Sequence, residues 1–319
     1  MGERAVIALL SGGVGGSRLA AGLYDLVGER LVVIVNTADD EVIYGLYVSP
    51  DVDTVLYALS GIGDWERGWG IRGDTFRCNE TIGRLGFENW FKIGDMDLAV
   101  NLLRTKMLRE GMSLSEVTGE LARRMGIRCR VIPMTDFWVE TRVVTKEGTM
   151  SFQEYFVKRG TAPEVLEVRR VRSPDEAPAP GVVESLTSAQ AIFFAPSNPI
   201  LSVRPILETK GVEEAIRRSG AVKVAVSPIV GGRAMRGPAD RLMVAFGYEP
   251  GVVGVAQFYE GLIDGLVIDR ADEELAGTIR SRFGIEVLVT DTLMTSREAA
   301  RWLAGEVLNF AVRLGGTRG

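Results

Sequence analysis

Apolar positions follow two rhythms along this chain. Short apolar runs at residues 5–10, 31–35 and 191–195, and mostly apolar ones at 222–226, 266–269 and 286–290, lack the regular polar alternation of a half-exposed strand. Such runs predict strands covered on both faces, as in a parallel sheet. Between them, apolar residues at helical spacing predict helices over 18–26, 96–109, 114–125, 213–219, 249–259 and 296–312, with another starting at 54–59. Ser113 with Glu116 forms a capping-box signature ahead of one of them. Residues 140–157 change to strand-like alternation around Lys146-Glu147-Gly148, which predicts a hairpin. Residues 64–76 are rich in glycine and aromatics, and residues 173–181 hold three prolines; both stretches read as loops. The predicted fold class is α/β, a Rossmann-like, doubly wound, mainly parallel sheet. Residues 1–319 are expected to form a single domain, with a mostly helical insertion plus a hairpin over residues 61–185.

Composition narrows the chemistry. The chain has 319 residues, 46% of them hydrophobic and 25% charged, ordinary values for a globular protein with a sizeable core. Its net charge of −5 argues against a general nucleic-acid or membrane-surface partner. No apolar run approaches the roughly twenty residues that span a bilayer. A strand is expected almost at the N-terminus, so no signal peptide is expected and the expected compartment is the cytoplasm. Cys78 and Cys129 offer neither a metal spacing nor a disulfide framework. The chain has no histidine, which excludes a Ser-His-Asp triad, a zinc–histidine site and an imidazole base. Carboxylate and metal chemistry becomes the default.

The densest chemistry lies near the start. Gly12-Gly13-Val14-Gly15-Gly16 follows the first predicted strand and precedes a helix. Such a turn offers backbone N–H groups and a positive dipole end to an anion such as phosphate. Just past the second strand come Asp39 and Asp40, then Asp51 and Asp53 in Ser49-Pro50-Asp51-Val52-Asp53-Thr54. Clustered carboxylates beside a phosphate suit magnesium, which takes hard oxygen ligands and shares them with the phosphate. Each feature also has a plainer structural reading. The glycine turn can be a tight connection with no ligand, and its spacing is not G-x-G-x-x-G. Asp53 can simply cap a helix, as can Asp95 in Gly94-Asp95. Lys92, beside Trp90 and Phe91, can be a solvated lysine, and Trp65 and Trp69 can anchor their loop to the core. Pro196-Ser197-Asn198-Pro199 and Ser227-Pro228-Ile229 end two later strands, where α/β folds place ligands. Ser197, Asn198 and Ser227 are therefore candidates for a shared nucleotide pocket.

Taken in order, these motifs closely resemble the 2-phospho-L-lactate transferase family. The likeness is carried by the glycine loop, Asn36-Thr37-Ala38-Asp39-Asp40, the Ser49–Thr54 motif, Trp69-Gly70-Ile71 with Asp74-Thr75-Phe76, Gly94-Asp95, Pro196-Ser197-Asn198-Pro199, Ser227-Pro228-Ile229 and Asp291-Thr292-Leu293-Met294-Thr295. It spans about residues 6–312. The resemblance implies a magnesium-dependent transferase of deazaflavin coenzyme F-420 biosynthesis. Such an enzyme passes a phospholactyl or phosphoenolpyruvyl group from a guanosine diphosphate-linked donor to the terminal ribityl hydroxyl of 7,8-didemethyl-8-hydroxy-5-deazariboflavin, and GMP leaves. It further implies that Asp51 and Lys92 contact the deazaflavin, that Asp39 or Asp40 with Asp53 ligate Mg2+, and that Gly12, Gly13, Gly15, Gly16, Ser197 and Asn198 hold the guanosine diphosphate. A homodimer is expected from the resemblance alone. The chain departs from many relatives at Tyr44, before Gly45, where they carry histidine, and at Ala195, where a glycine is frequent.

Attack of an alcohol on a phosphodiester needs positioning, charge neutralisation and a base for the hydroxyl proton. Asp51 is the candidate base. Two other readings compete: a nucleotide-sugar-binding regulator of the gluconeogenesis-factor type, and an NAD-dependent oxidoreductase built on the first βαβ unit. The Ser-Pro-Asp-x-Asp-Thr and Asp-Thr-Leu-Met-Thr motifs favour the transferase over the first. The glycine spacing and the surplus of acids count against the second.

Overall fold

The computed structural model describes residues 5–235 and 237–316. Residues 1–4, part of the expected N-terminal lead-in, lie outside the described residues. Seven strands form the central sheet: β1 (Ile7–Ser11), β2 (Leu31–Val35), β3 (Arg130–Pro133), β4 (Ala191–Phe194), β5 (Val222–Val226), β6 (Gly265–Asp269) and β7 (Glu286–Thr290). Their order is β3-β2-β1-β4-β5-β6-β7, and every pairing is parallel. This is the predicted doubly wound Rossmann-like sheet.

The apolar runs form strands because both faces are covered. Ile7 and Leu9 of β1 face one hydrophobic cluster with Leu31, Val33 and Val35 of β2. Ala8 and Leu10 face the other with Val32 and Ile34. The first cluster takes in helices α1 (Gly13–Val27), α2 (Pro50–Ser60) and the closing helix Arg297–Gly316. The second is roofed by Val182–Ser188, Val212–Arg218, Gly251–Phe258 and Ala276–Phe283.

Between β2 and β3 the chain makes a small hairpin (Glu41–Ile43 with Leu46–Val48), then α2, α3 (Arg77–Arg84), α4 (Asp95–Arg109) and α5 (Leu114–Arg124). Between β3 and β4 it builds an antiparallel sheet of Gly148–Ser151, Val139–Thr145 and Val165–Arg172, in that order. The boundaries 61–185 therefore do not enclose a separable insertion. They contain β3, and Val117 and Leu121 of α5 pack into the main core. The predicted hairpin is present and gains a third strand, Val165–Arg172.

Candidate functional site

In this strand order the chain reverses direction across the sheet between β1 and β4, and such a switch point opens a crevice beyond the strands' C-terminal ends. Ser11 ends β1, Gly12 caps α1, and the helix begins inside the glycine loop rather than at residue 18. The glycines are there for clearance. A Cβ on Gly15 would stand 2.3 Å from the Pro196 carbonyl oxygen, and one on Gly16 would stand 2.8 Å from Ser197 Oγ. The loop thus lies flush against the chain leaving β4. Ser197 fastens the two: its Oγ accepts from Gly12 N at 3.0 Å and donates to Gly12 O at 2.7 Å.

Asp51, in the first turn of α2, reaches the same spot. Its carboxylate accepts from Gly13 N at 2.8 Å and from Asn36 Nδ2 at 2.9 Å. It sits at the positive end of α1, where a carboxylate is stabilised. The Asn36 amide also donates to Asp39 at 3.1 Å, so one carboxamide joins two acids. Asp40 accepts from Ser49 Oγ at 2.7 Å, and Gln153 donates to the Asp39 carbonyl at 2.8 Å. The structure therefore gathers Gly12, Gly13, Gly15, Gly16, Asp39, Asp40, Asp51 and Ser197. The amides of Gly12 and Gly13 are already engaged by Ser197 and Asp51. The rest of the first turn of α1 carries the N–H groups that helix geometry leaves free.

The acids are electrostatically exposed to one another. Burial raises Asp39 well above the usual carboxylate range, and the charge of Asp51 raises it further; Arg170 opposes. Burial likewise raises Asp40, against its hydroxyl partners Ser49 and Tyr47. Asp51 is raised by burial, with Asn36 and the Gly13 amide pulling the other way.

Asp53 has a partner of its own. Arg104, buried in α4, sets both terminal nitrogens on its carboxylate, one at 3.0 Å. Around this pair, Arg104 donates to Asn101 at 2.7 Å, and Asp97 accepts from Tyr57 OH at 2.7 Å and Asn101 at 3.1 Å. The predicted metal set of Asp39, Asp40 and Asp53 is thus divided. Among the described residues no three His, Cys, Asp or Glu side chains form a group able to hold a metal. Two of the three do fit a cation. Asp39 Oδ1 and Asp40 Oδ2 are buried oxygens without a hydrogen-bond partner, on neighbouring residues. Magnesium commonly takes one or two carboxylates and completes its shell with substrate phosphate and water.

Three predicted residues have local duties. Asn198 caps the turn at Pro199–Val203, accepting from Ile200 N and Leu201 N. Ser227 closes its own turn with Ile229 beyond β5. Lys92 lies exposed between α3 and α4, where its ammonium donates to Asn79 at 3.0 Å. Asp95 caps α3, accepting from Arg77 N and Cys78 N, while Asp74 takes the first amides of α4. Gln153, Arg104 and Asn79 were not singled out from the sequence, and Asn36 only as the head of the Asn36–Asp40 motif. Asp97, Asn101 and Arg104 do carry a signal, polar residues at helical spacing on one face of α4, but nothing marks that face as buried.

A doubly wound α/β protein with a glycine loop and an acid cluster at its switch point belongs to a broad class of phosphate-handling folds. The comparisons narrow it. The model for the family described as 2-phospho-L-lactate transferase CofD matches residues 7–300. The chain is 42% identical to the 2-phospho-L-lactate transferase of Methanopyrus kandleri, over 97% of this chain and 99% of that one. It is 40% identical to the phosphoenolpyruvate transferase of Kitasatospora aureofaciens, over 96% and 97%. This chain belongs to the 2-phospho-L-lactate transferase family. Its fold also resembles that of a UPF0052 family member from Bacillus halodurans, with a TM-score of 0.66 and 18% identity over 96% of this chain and 99% of that one.

Proposed function

We propose that this protein transfers a phospholactyl or phosphoenolpyruvyl group from a guanosine diphosphate-linked donor to the terminal ribityl hydroxyl of 7,8-didemethyl-8-hydroxy-5-deazariboflavin, releasing GMP, in coenzyme F-420 biosynthesis. Family membership supports the reaction class. The observation that carries the assignment within the structure is the meeting of Asp39, Asp40 and Asp51 beside the glycine loop. Relatives named for either acid stand at nearly the same identity, so the proposal covers both donors.

In this reading the first turn of α1 faces the donor's diphosphate with its free amides. Asp39 and Asp40 would hold Mg2+, which supplies charge neutralisation for the departing GMP. Asp51 takes the proton from the ribityl hydroxyl as its oxygen attacks phosphorus. Burial raises Asp51's affinity for a proton, and its bonds to Gly13 and Asn36 fix where it points. Lys92 meets the deazaflavin, and Ser197 keeps the loop seated. The same reading has the enzyme working in the cytoplasm as a homodimer. Among the described residues no helix is long and apolar enough to cross a membrane.

The test incubates the protein with acceptor, magnesium and each donor, following GMP. A regulator of the gluconeogenesis-factor type releases none, and an NAD-dependent oxidoreductase instead binds nicotinamide in a titration. Asp51→Asn should lower turnover while guanosine nucleotide binding survives. Near-parental turnover in that variant removes Asp51 as the base.

A further inference from the structure

We propose that Asn79 is the positioning residue that orients Lys92 toward the acceptor, a role that rests on the reading of Lys92 as a deazaflavin contact. Lys92 is exposed, on the loop between α3 and α4. An exposed lysine ammonium on a flexible four-carbon stem ordinarily sweeps a wide volume and loses considerable freedom when fixed. Here it is tethered. Asn79, in α3 and only 2% exposed, accepts from Lys92 Nζ at 3.0 Å through Oδ1.

The direction of that tether is determined by chemistry. The Asn79 amide nitrogen donates to the Phe91 carbonyl at 2.8 Å, and a carbonyl can only accept. An ammonium can only donate, so Oδ1 must be the atom facing Lys92. The same nitrogen donates to Tyr44 OH at 3.2 Å, and Asn89 donates to the Asn79 carbonyl at 3.2 Å. One buried carboxamide therefore joins the turn of the small hairpin, α3 and the Lys92 loop.

Tyr44 and Gly45 are the two central residues of the small hairpin's turn, and their φ values of +53 and +76 are the left-handed ones that such a turn requires. Tyr44 remains 40% exposed. The hub thus presents a cation and a phenol side by side, a combination suited to the polar edge and flat face of a planar heterocycle. Tethering to Asn79 lowers the ordering cost that Lys92 would otherwise incur when the acceptor binds.

Steady-state kinetics of Asn79→Ala, Lys92→Ala and the double variant test this, each with KM measured for acceptor and for donor. Loss of a hydrogen bond to a charged group predicts that each single variant raises acceptor KM about tenfold. Donor KM should hold, and the double variant should resemble Lys92→Ala alone. Asn79→Gln, which keeps both an acceptor for Lys92 and a donor for the Phe91 carbonyl, should recover part of the acceptor affinity, and thermal melts of every variant guard against simple misfolding. A merely structural role for Asn79 would raise both KM values or lower turnover at unchanged acceptor KM, and either result overturns the proposal. Single effects that multiply in the double variant also overturn it, while leaving Lys92 as a contact. No change of acceptor KM in Lys92→Ala refutes the underlying reading and this proposal with it.

Discussion

Arg104 grips Asp53 with both ends of its guanidinium, and neither side chain reaches solvent to any extent. The pair ties α4 to α2. It commits one aspartate of the Ser49–Thr54 motif, two residues from the proposed base, to a buried ion pair. Asp53 is raised by burial and brought back by the charge of Arg104.

Removing one partner of such a pair leaves the other as an uncompensated buried charge. Arg104→Met should destabilise the fold by about 3–5 kcal/mol, read as a shift in the urea midpoint. Asp53→Asn placed on top of Arg104→Met should recover a large part of that loss, because the stranded carboxylate is gone. Equal or additive losses in the two backgrounds would mean the pair is not coupled.

The glycine loop separates clearance from conformation. Gly13 holds φ +61 with nothing within 4 Å of a Cβ, so Gly13→Ala should cost about 1–2 kcal/mol of backbone strain and leave the crevice in shape. At Gly15 the obstacle is a backbone oxygen at 2.3 Å, which cannot rotate out of the way. Gly15→Ala must push the loop off Pro196, so guanosine nucleotide affinity should fall sharply. Calorimetric titration of both variants checks the order, and Gly13→Ala being the more damaging to binding would contradict it.

Asp97 gives the fold a pH dependence. Burial, and then the charge of Asp53, lift its carboxyl to about 7. The folded state therefore keeps a proton on Asp97 at pH values where the unfolded chain, titrating near 3.8, has released it. A group raised on folding stabilises fully below its unfolded value, and that stabilisation drains away as pH rises toward 7. Asp97→Asn stays neutral throughout. Its stability relative to the parent should improve steadily between pH 4 and 7 and then level off. Thermal melts of both proteins across that range decide it, and a constant difference would remove Asp97 from the account.

Much of the architecture was legible in the chain because strands buried on both faces leave unbroken apolar runs; β2, Leu31–Val35, is one. β3 escaped notice for a matching reason. It is a four-residue edge strand that starts on the exposed Arg130 and ends on Pro133. Val165–Arg172 places valine at every third position among arginine and glutamate, without the period-two alternation of a strand, and resembles a solvated loop until its partner strand is known. The acid motif was visible as residue types, but its division was not. Arg104 shares a helix with Lys106 and Arg109, which are not fully buried, and no local pattern distinguishes the buried cation from them. Asn36 was visible as the head of the Asn36–Asp40 motif but not its role, and Asn79 not at all, because a carboxamide has no signature until its partners are placed around it.

The division of the acids makes a prediction about metal that the motif alone would not. Asp39 and Asp40 each keep a buried oxygen without a partner, whereas Asp53 is committed to Arg104. Magnesium should raise the melting temperature of the parent by binding the folded state, with about 2.7 kcal/mol gained at a hundredfold excess over its dissociation constant. Asp39→Asn removes a buried charge that repels Asp51. In chelator it should melt above the parent, and it should lose most of the response to magnesium. Asp53→Asn should behave oppositely, melting lower because Arg104 is left unpaired while the magnesium response persists. Thermal melts with and without the metal separate the two positions. A magnesium response that disappears with Asp53→Asn and survives Asp39→Asn would move the metal to the other carboxylate and require Arg104 to release it.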